Sequence, residues 1–210
     1  MLTLVYFFTL AFFTASILQC LCLGQLNLNV LYDNEIAGLW LSVLGLVAIV
    51  LQRFMNGCAS LWLQVLYAAL AFESVTIGVA GLTYSYAFTQ LAIFCGIVSL
   101  LIAFLPFVGA GLAKLDITRC VGWLLLSSLA CLMVCVLVLT LLLSFNCQVT
   151  IVNLMLIGAF IAVLFSAAHD SRIVHRLNAN DSLDSKQCLR YSLFLYGEMI
   201  FVWLLLLHVS

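Results

Sequence analysis

Charged side chains are too sparse in this chain to coat a water-facing surface. Seven Lys or Arg and eight Asp or Glu make up 7% of 210 residues, against about 25% in an ordinary soluble domain. The apolar residues, 67% of the chain, come in continuous runs. Strands of a membrane barrel would instead alternate over about ten residues. A hydrocarbon core about 30 Å thick takes roughly 20 residues of helix, and the charges and polar clusters cut the chain into seven such runs. They cover approximately residues 2–23, 36–52, 58–82, 86–113, 121–145, 149–168 and 189–209. The expectation is an all-α membrane protein, a seven-helix bundle forming a single domain over residues 1–210. The longest polar stretch, residues 171–190, reads as one loop, too short for a soluble catalytic domain. A net charge of −1 offers no clustered basic footprint for nucleic acid.

Lys and Arg flanking a span stay on the cytoplasmic side. Arg53 follows the second run, Lys114 and Arg119 the fourth, and Arg172, Arg176, Lys186 and Arg190 the sixth. The loop after the first run carries Asp33 and Glu35 instead. All basic residues thus share one face, which makes the N-terminus cytoplasmic and the C-terminus lumenal or extracellular. Asn180-Asp181-Ser182 is a glycosylation sequon that this topology leaves in the cytosol, unmodified. The first run is uncharged and longer than a signal-peptide core, so it reads as a permanent span. None of the nine cysteines forms a Cys-x-x-Cys pair, and most read as small apolar packers. Cys58, Cys120 and Cys188, near cytoplasmic helix ends, are candidates for S-acylation.

An ionisable residue inside a span costs a few kcal/mol and so faces a bundle interior, where it marks a pathway or relay. Glu73, Asp170 and Glu198 qualify. Glu198 lies about 14 Å into the last run at 1.5 Å per residue. Asp170 closes the sixth run, and Ile173 and Val174 suggest one more helical turn. If the two runs are neighbours, both acids occupy the cytoplasmic half, where two carboxylates in low dielectric cannot both ionise cheaply. A shared proton is expected. Arg53, ending the second run on the same face, can reach either acid in a forked pair. Protonation would release it, giving a pH-gated latch, and the same oxygens suit a hard cation such as calcium.

Plainer readings stand beside these. Arg53 can snorkel to headgroups, and Asp170 can be a solvated helix-end acid. Glu73 is either a second ion-contacting acid or a protonated one bonded to Ser74 or Thr76. His169 is placed to tune the pair near neutral pH, though interfacial histidines mostly do not. Pro106, with Gly109 and Gly111 behind it, is a hinge candidate. Gly78, Gly81, Gly158 and Gly197 permit close helix approach, with packing the default role. Phe7, Phe8, Phe12 and Phe13 read as lipid-facing bulk.

The stretch Ile157-Gly158-Ala159-Phe160 through Leu164-Phe165-Ser166-Ala167-Ala168-His169-Asp170 resembles the sixth helix of the Bax inhibitor-1 family, which ends in Tyr-Asp. Tyr191-Ser192-Leu193-Phe194-Leu195-Tyr196-Gly197-Glu198 with Ile200-Phe201 resembles its seventh-helix pattern, Leu-Ser-Leu-Tyr-Leu-Asp-Phe-Ile. Weaker echoes run through Val5-Tyr6, Leu51-Gln52-Arg53 and Ala71-Phe72-Glu73 with Thr76-Ile77-Gly78. The resemblance implies six helices around a central seventh, and a pH-sensitive calcium leak channel of intracellular membranes. It further implies an aspartate-pair sensor matched by Asp170 and Glu198, and an arginine latch matched by Arg53. Here His169 stands for the tyrosine and Glu198 for the second aspartate, and the loop between the acids is longer. The short N-terminal tail is similar to that of the herpesvirus relatives found in cytomegaloviruses, which implies a modulator of host calcium homeostasis and apoptosis in the endoplasmic reticulum or another endomembrane.

Two functions follow. One is a cation leak in which protonation of Asp170 and Glu198 gates calcium, the permeant ion, with no cofactor and no resident metal. The other is a non-conducting multispan protein that binds host membrane proteins through its small-residue helix faces and downregulates them. Covalent catalysis has no support, since no serine sits beside a paired base and acid.

Overall fold

The computed structural model describes residues 1–25, 35–52, 61–83, 86–113 and 149–209. These residues form six helices and, among them, no strand: α1 (Leu2–Gln25), α2 (Glu35–Gln52), α3 (Leu61–Thr83), α4 (Phe88–Ala113), α5 (Val149–Ala179) and α6 (Ser185–Val209). All but α2 are long and apolar enough to cross a bilayer, and the apolar part of α2, Ala37–Gln52, is shorter. The chain is an α-helical, multi-pass membrane protein. The expected span over residues 121–145 lies outside the described residues, as do Arg53, Lys114, Arg119, Cys58 and Cys120.

The last helix is the central one. Its apolar window is 83% buried against 17% for α4, and it packs against all five other described helices. In lipid the hydrophobic effect does not select an interior helix, because hydrocarbon tails are as apolar as leucine. Polar groups select it, since they need partners away from lipid. Tyr196 and Glu198 of α6 are two positions apart, about 200° around a helix of 3.6 residues per turn. Both are buried. A helix with polar groups on opposite walls must be covered on both.

The α5–α6 connection departs from the sequence expectation. Residues 171–190 are not one loop: α5 continues to Ala179 and α6 already begins at Ser185. Val174 is fully buried and Leu177 packs on the core, so the apolar face persists past Asp170 by more than the single turn expected. Arg172, read from sequence as a loop residue, is likewise buried within α5. Two local devices fix the short connection. Ser182 N–H donates to Leu177 C=O (3.0 Å) and Asp181 N–H to Asn178 C=O (3.3 Å), with Asp181 at φ 50°. That is a Schellman stop carrying aspartate where glycine is usual. Asp184 then caps α6: its carboxylate accepts Gln187 N–H (2.7 Å), while its own N–H donates to the Gln187 side chain (3.4 Å), a reciprocal capping box.

Helices α2 and α3 are held by small residues. A Cβ on Gly45 would lie 2.7 Å from Val75 N and 3.1 Å from Ala71 O, and one on Gly78 would run into Ser42 and the Gly38 carbonyl. Only a missing side chain permits such backbone approach. Gly158, expected to serve similarly, has no described atom within 4 Å of its Cβ position. The phenylalanine run also divides. Phe7 and Phe8 are exposed, but Phe13 is fully buried against Trp203, and Phe12 packs on Phe72 and Tyr196. At 100° per residue, such a run cannot present one face.

Candidate functional site

The short α5–α6 connection sets the register of the site. Ser166 lies thirteen residues before the end of α5 at Ala179, and Glu198 thirteen after the start of α6 at Ser185. Both are therefore about 20 Å from the turn at 1.5 Å per residue. They meet there: the Ser166 hydroxyl donates a hydrogen bond to Glu198 Oε1. Glu198 and Asp170 are 2% and 1% exposed. Asp170 follows Ser166 by four residues, so it sits on the same face of α5, one turn nearer the connection. Because helix side chains lean toward their own N-terminus and the hairpin is antiparallel, Asp170 leans deeper and Glu198 leans shallower. The two acids converge in depth from opposite directions. His169 Nδ1 is 3.5 Å from Asp170 Oδ1, an ion pair when the imidazole is protonated.

Four consecutive polar residues, His169, Asp170, Ser171 and Arg172, are all buried. Consecutive positions span most of a helix circumference, so α5 is enclosed on all sides at this level. Ser171 donates to the Leu105 carbonyl (2.8 Å). Its single proton being used there, Tyr6 is the donor in the 2.6 Å Tyr6–Ser171 bond. His175, one turn on, has its ring 6.1 Å from that of Tyr6 and tilted 46° to it, and faces the Pro106 carbonyl. Helix α4 runs unbroken through Pro106. Gly109 supplies closeness, since a Cβ there would strike Ser171 Oγ and come within 2.7 Å of His175 Cδ2.

A second polar cluster occupies the opposite wall of α6. Tyr196 donates to Ser16 (3.2 Å), Thr76 donates to Ser16 (3.1 Å), and the Tyr196 and Thr76 oxygens are 3.2 Å apart. All three residues are fully buried. One turn nearer the connection, the Thr9 hydroxyl donates to the Val5 carbonyl of its own helix (2.8 Å) and lies 3.3 Å from the Ser192 carbonyl of α6.

Glu73 lies beside the hydroxyl cluster, one turn from Thr76 on α3. It is exposed on α3 and accepts from Gln19 (3.2 Å). The partners expected for it are engaged elsewhere, Ser74 with the Leu70 carbonyl and Thr76 with Ser16. Cys188 is buried, which removes its thiol from the surface that acylation needs. Arg53 is outside the described residues, so its placement relative to the acids is not part of this geometry. Among the described residues no three His, Cys, Asp or Glu side chains gather as a metal-ion site.

Sequence reasoning found the two acids and their helices but not Ser166, Tyr6 or the hydroxyl cluster. The four-residue spacing of Ser166 and Asp170 was a legible signal, because an acid reaching one from a neighbouring helix also approaches the other. Comparison with protein-family models, curated proteins and solved structures finds no match for this chain.

Proposed function

We propose that the chain is a proton-sensitive cation leak channel of Bax inhibitor-1 type, with seven spans, six of them around the last. Asp170 and Glu198 form its sensor and gate, Arg53 is the latch that closes on them when charged, and calcium is the permeant ion. The observation that carries this reading is the burial of Glu198 at the centre of the bundle, tied by Ser166 to the same face of α5 that bears buried Asp170. Carboxylates in such a site are costly to keep ionised together, and membrane-interior acids serve ion or proton paths far more often than stability. His169 Nδ1 lies 3.5 Å from Asp170 Oδ1, close enough to pair with it when the ring is protonated. The one-sided basic residues favour a cytoplasmic N-terminus, and this reading sets the C-terminus in the lumen of an endomembrane such as the endoplasmic reticulum. A viral modulator of host calcium stores and apoptosis is the setting this reading fits.

The test is calcium efflux from vesicles holding the purified chain, measured across pH for wild type and for Asp170→Asn with Glu198→Gln. A pH-dependent leak that the double variant makes pH-independent is expected. A wild type that passes no cation at any pH removes the reading and leaves the non-conducting, partner-binding one.

A further inference from the structure

We propose that Tyr196 is the positioning residue of Glu198: its hydroxyl, held by Ser16 and Thr76, sets the rotation of the central helix and so aims the acid at Ser166. The two side chains leave α6 about 200° apart. The Tyr196 wall is anchored to two helices, α1 through Ser16 and α3 through Thr76, at 3.1 to 3.2 Å. The rings of Phe12 and Phe72, 6.1 and 5.3 Å from that of Tyr196, close the cluster off. A hydroxyl in a bundle interior has no water to exchange for, so each rotation of α6 that separates these oxygens leaves them without partners. On the opposite wall Glu198 meets Ser166 of α5. Because α6 is rigid, a turn of the helix that pulls Tyr196 from its cluster swings Glu198 off Ser166 by the same angle. Tyr196 and Glu198 leave α6 from opposite walls, so the influence of the one on the other runs through the helix. The bearing of this on cation passage rests on the function proposed above, whereas its bearing on the state of Glu198 does not.

The experiment is pH-resolved infrared spectroscopy of the purified full-length chain in lipid vesicles. Glu198 is assigned by the carboxyl band that Glu198→Gln removes. Ser166→Ala is expected to move both the frequency of that band and the pH midpoint of its appearance. Tyr196→Phe, which keeps the ring and deletes the hydroxyl, is expected to move both as well. Thr76→Val, which breaks the cluster from α3 with Tyr196 intact, should do the same, and the Tyr196→Phe, Thr76→Val pair no more than either alone. Phe13→Leu, a packing change against Trp203 on the same side of α6, should leave band and midpoint in place. An unmoved Glu198 band in either Tyr196→Phe or Thr76→Val overturns the proposal. So does an equal displacement in Phe13→Leu, which would make the effect one of packing. The readout needs no ion flux, so a chain that conducts nothing sinks the channel reading and leaves this result to be judged by itself.

Discussion

Gly109→Ala adds one methyl group at the tightest contact between α4 and α5, and its cost can be worked from the geometry. The new Cβ would collide with Ser171 Oγ and lie 2.7 Å from His175 Cδ2 and 2.9 Å from the Ser171 carbonyl oxygen. The Ser171 hydroxyl could rotate away, but its carbonyl is backbone and cannot, so the two helices must separate by several tenths of an ångström. Overpacking of this kind costs about 1 to 3 kcal/mol. Separation also stretches the 2.8 Å bond from Ser171 to Leu105, worth about 0.5 to 1.5 kcal/mol. Against this stands the better helix propensity of alanine, about 1 kcal/mol. A net destabilisation of roughly 1 to 3 kcal/mol is expected from these terms. Gly111→Ala and Gly158→Ala gain the same propensity and meet no described atom within 4 Å; they should be neutral or slightly stabilising. The assay is resistance to unfolding in mixed micelles of rising denaturing-detergent content, with the three variants in parallel. Equal stability of Gly109→Ala and Gly111→Ala would refute the close α4–α5 contact and the placement of Ser171 that depends on it.

Other outcomes are expected together with this one. Asp181→Gly should stabilise the α5–α6 connection by about 0.5 to 1 kcal/mol, because a left-handed backbone costs glycine least; a lower unfolding midpoint would contradict the Schellman stop. Gly45→Leu should separate α2 from α3, seen as lost protection from proteolysis within those helices, since the Val75 backbone nitrogen blocks its Cβ at 2.7 Å. Tyr6→Phe should cost only about 1 kcal/mol, as Ser171 keeps its Leu105 acceptor; a larger loss in the same detergent series would mean that Tyr6 holds something more. For orientation, Asn180 in the exposed connection should stay unglycosylated in cells, while a sequon inserted between residues 26 and 34 becomes modified; glycosidase-sensitive mobility at Asn180 would invert the topology.

The helices themselves were legible because apolar runs and helix bounds coincide wherever the polarity changes sharply. Residues 86–113 give α4 almost to the residue. The α5–α6 hairpin was misread for a physical reason: hydropathy counts Ser171, Arg172 and His175 as polar and ends the span. In the fold Ser171 and His175 are covered by Tyr6, Leu105 and Gly109 from α1 and α4, and Arg172 is buried beside them. A polar residue buried among helices looks, in one dimension, like a residue in water. The acids were legible for the opposite reason, because Glu198 sits among Met199, Ile200 and Phe201 with no aqueous neighbour to explain it. The Ser16, Thr76 and Tyr196 cluster was not, since hydroxyls are common in spans and only tertiary packing says which three meet.

Two different bonds hold this bundle, and they divide its labour. Helices α2 and α3 meet through glycine contacts that have no titratable partner, so no change of proton concentration alters them. Helix α6 is held through polar groups on both walls: hydroxyls of α1 and α3 meet Tyr196 on one, and Ser166 of α5 meets Glu198 on the other. The bonds among Ser16, Thr76 and Tyr196 join hydroxyl groups, whereas the bond from Ser166 ends on a carboxyl group. On the function proposed above, a proton at Glu198 would act on the α5 side of α6. The change would then centre on the α5–α6 seam, where Asp170, His169 and Ser166 also lie.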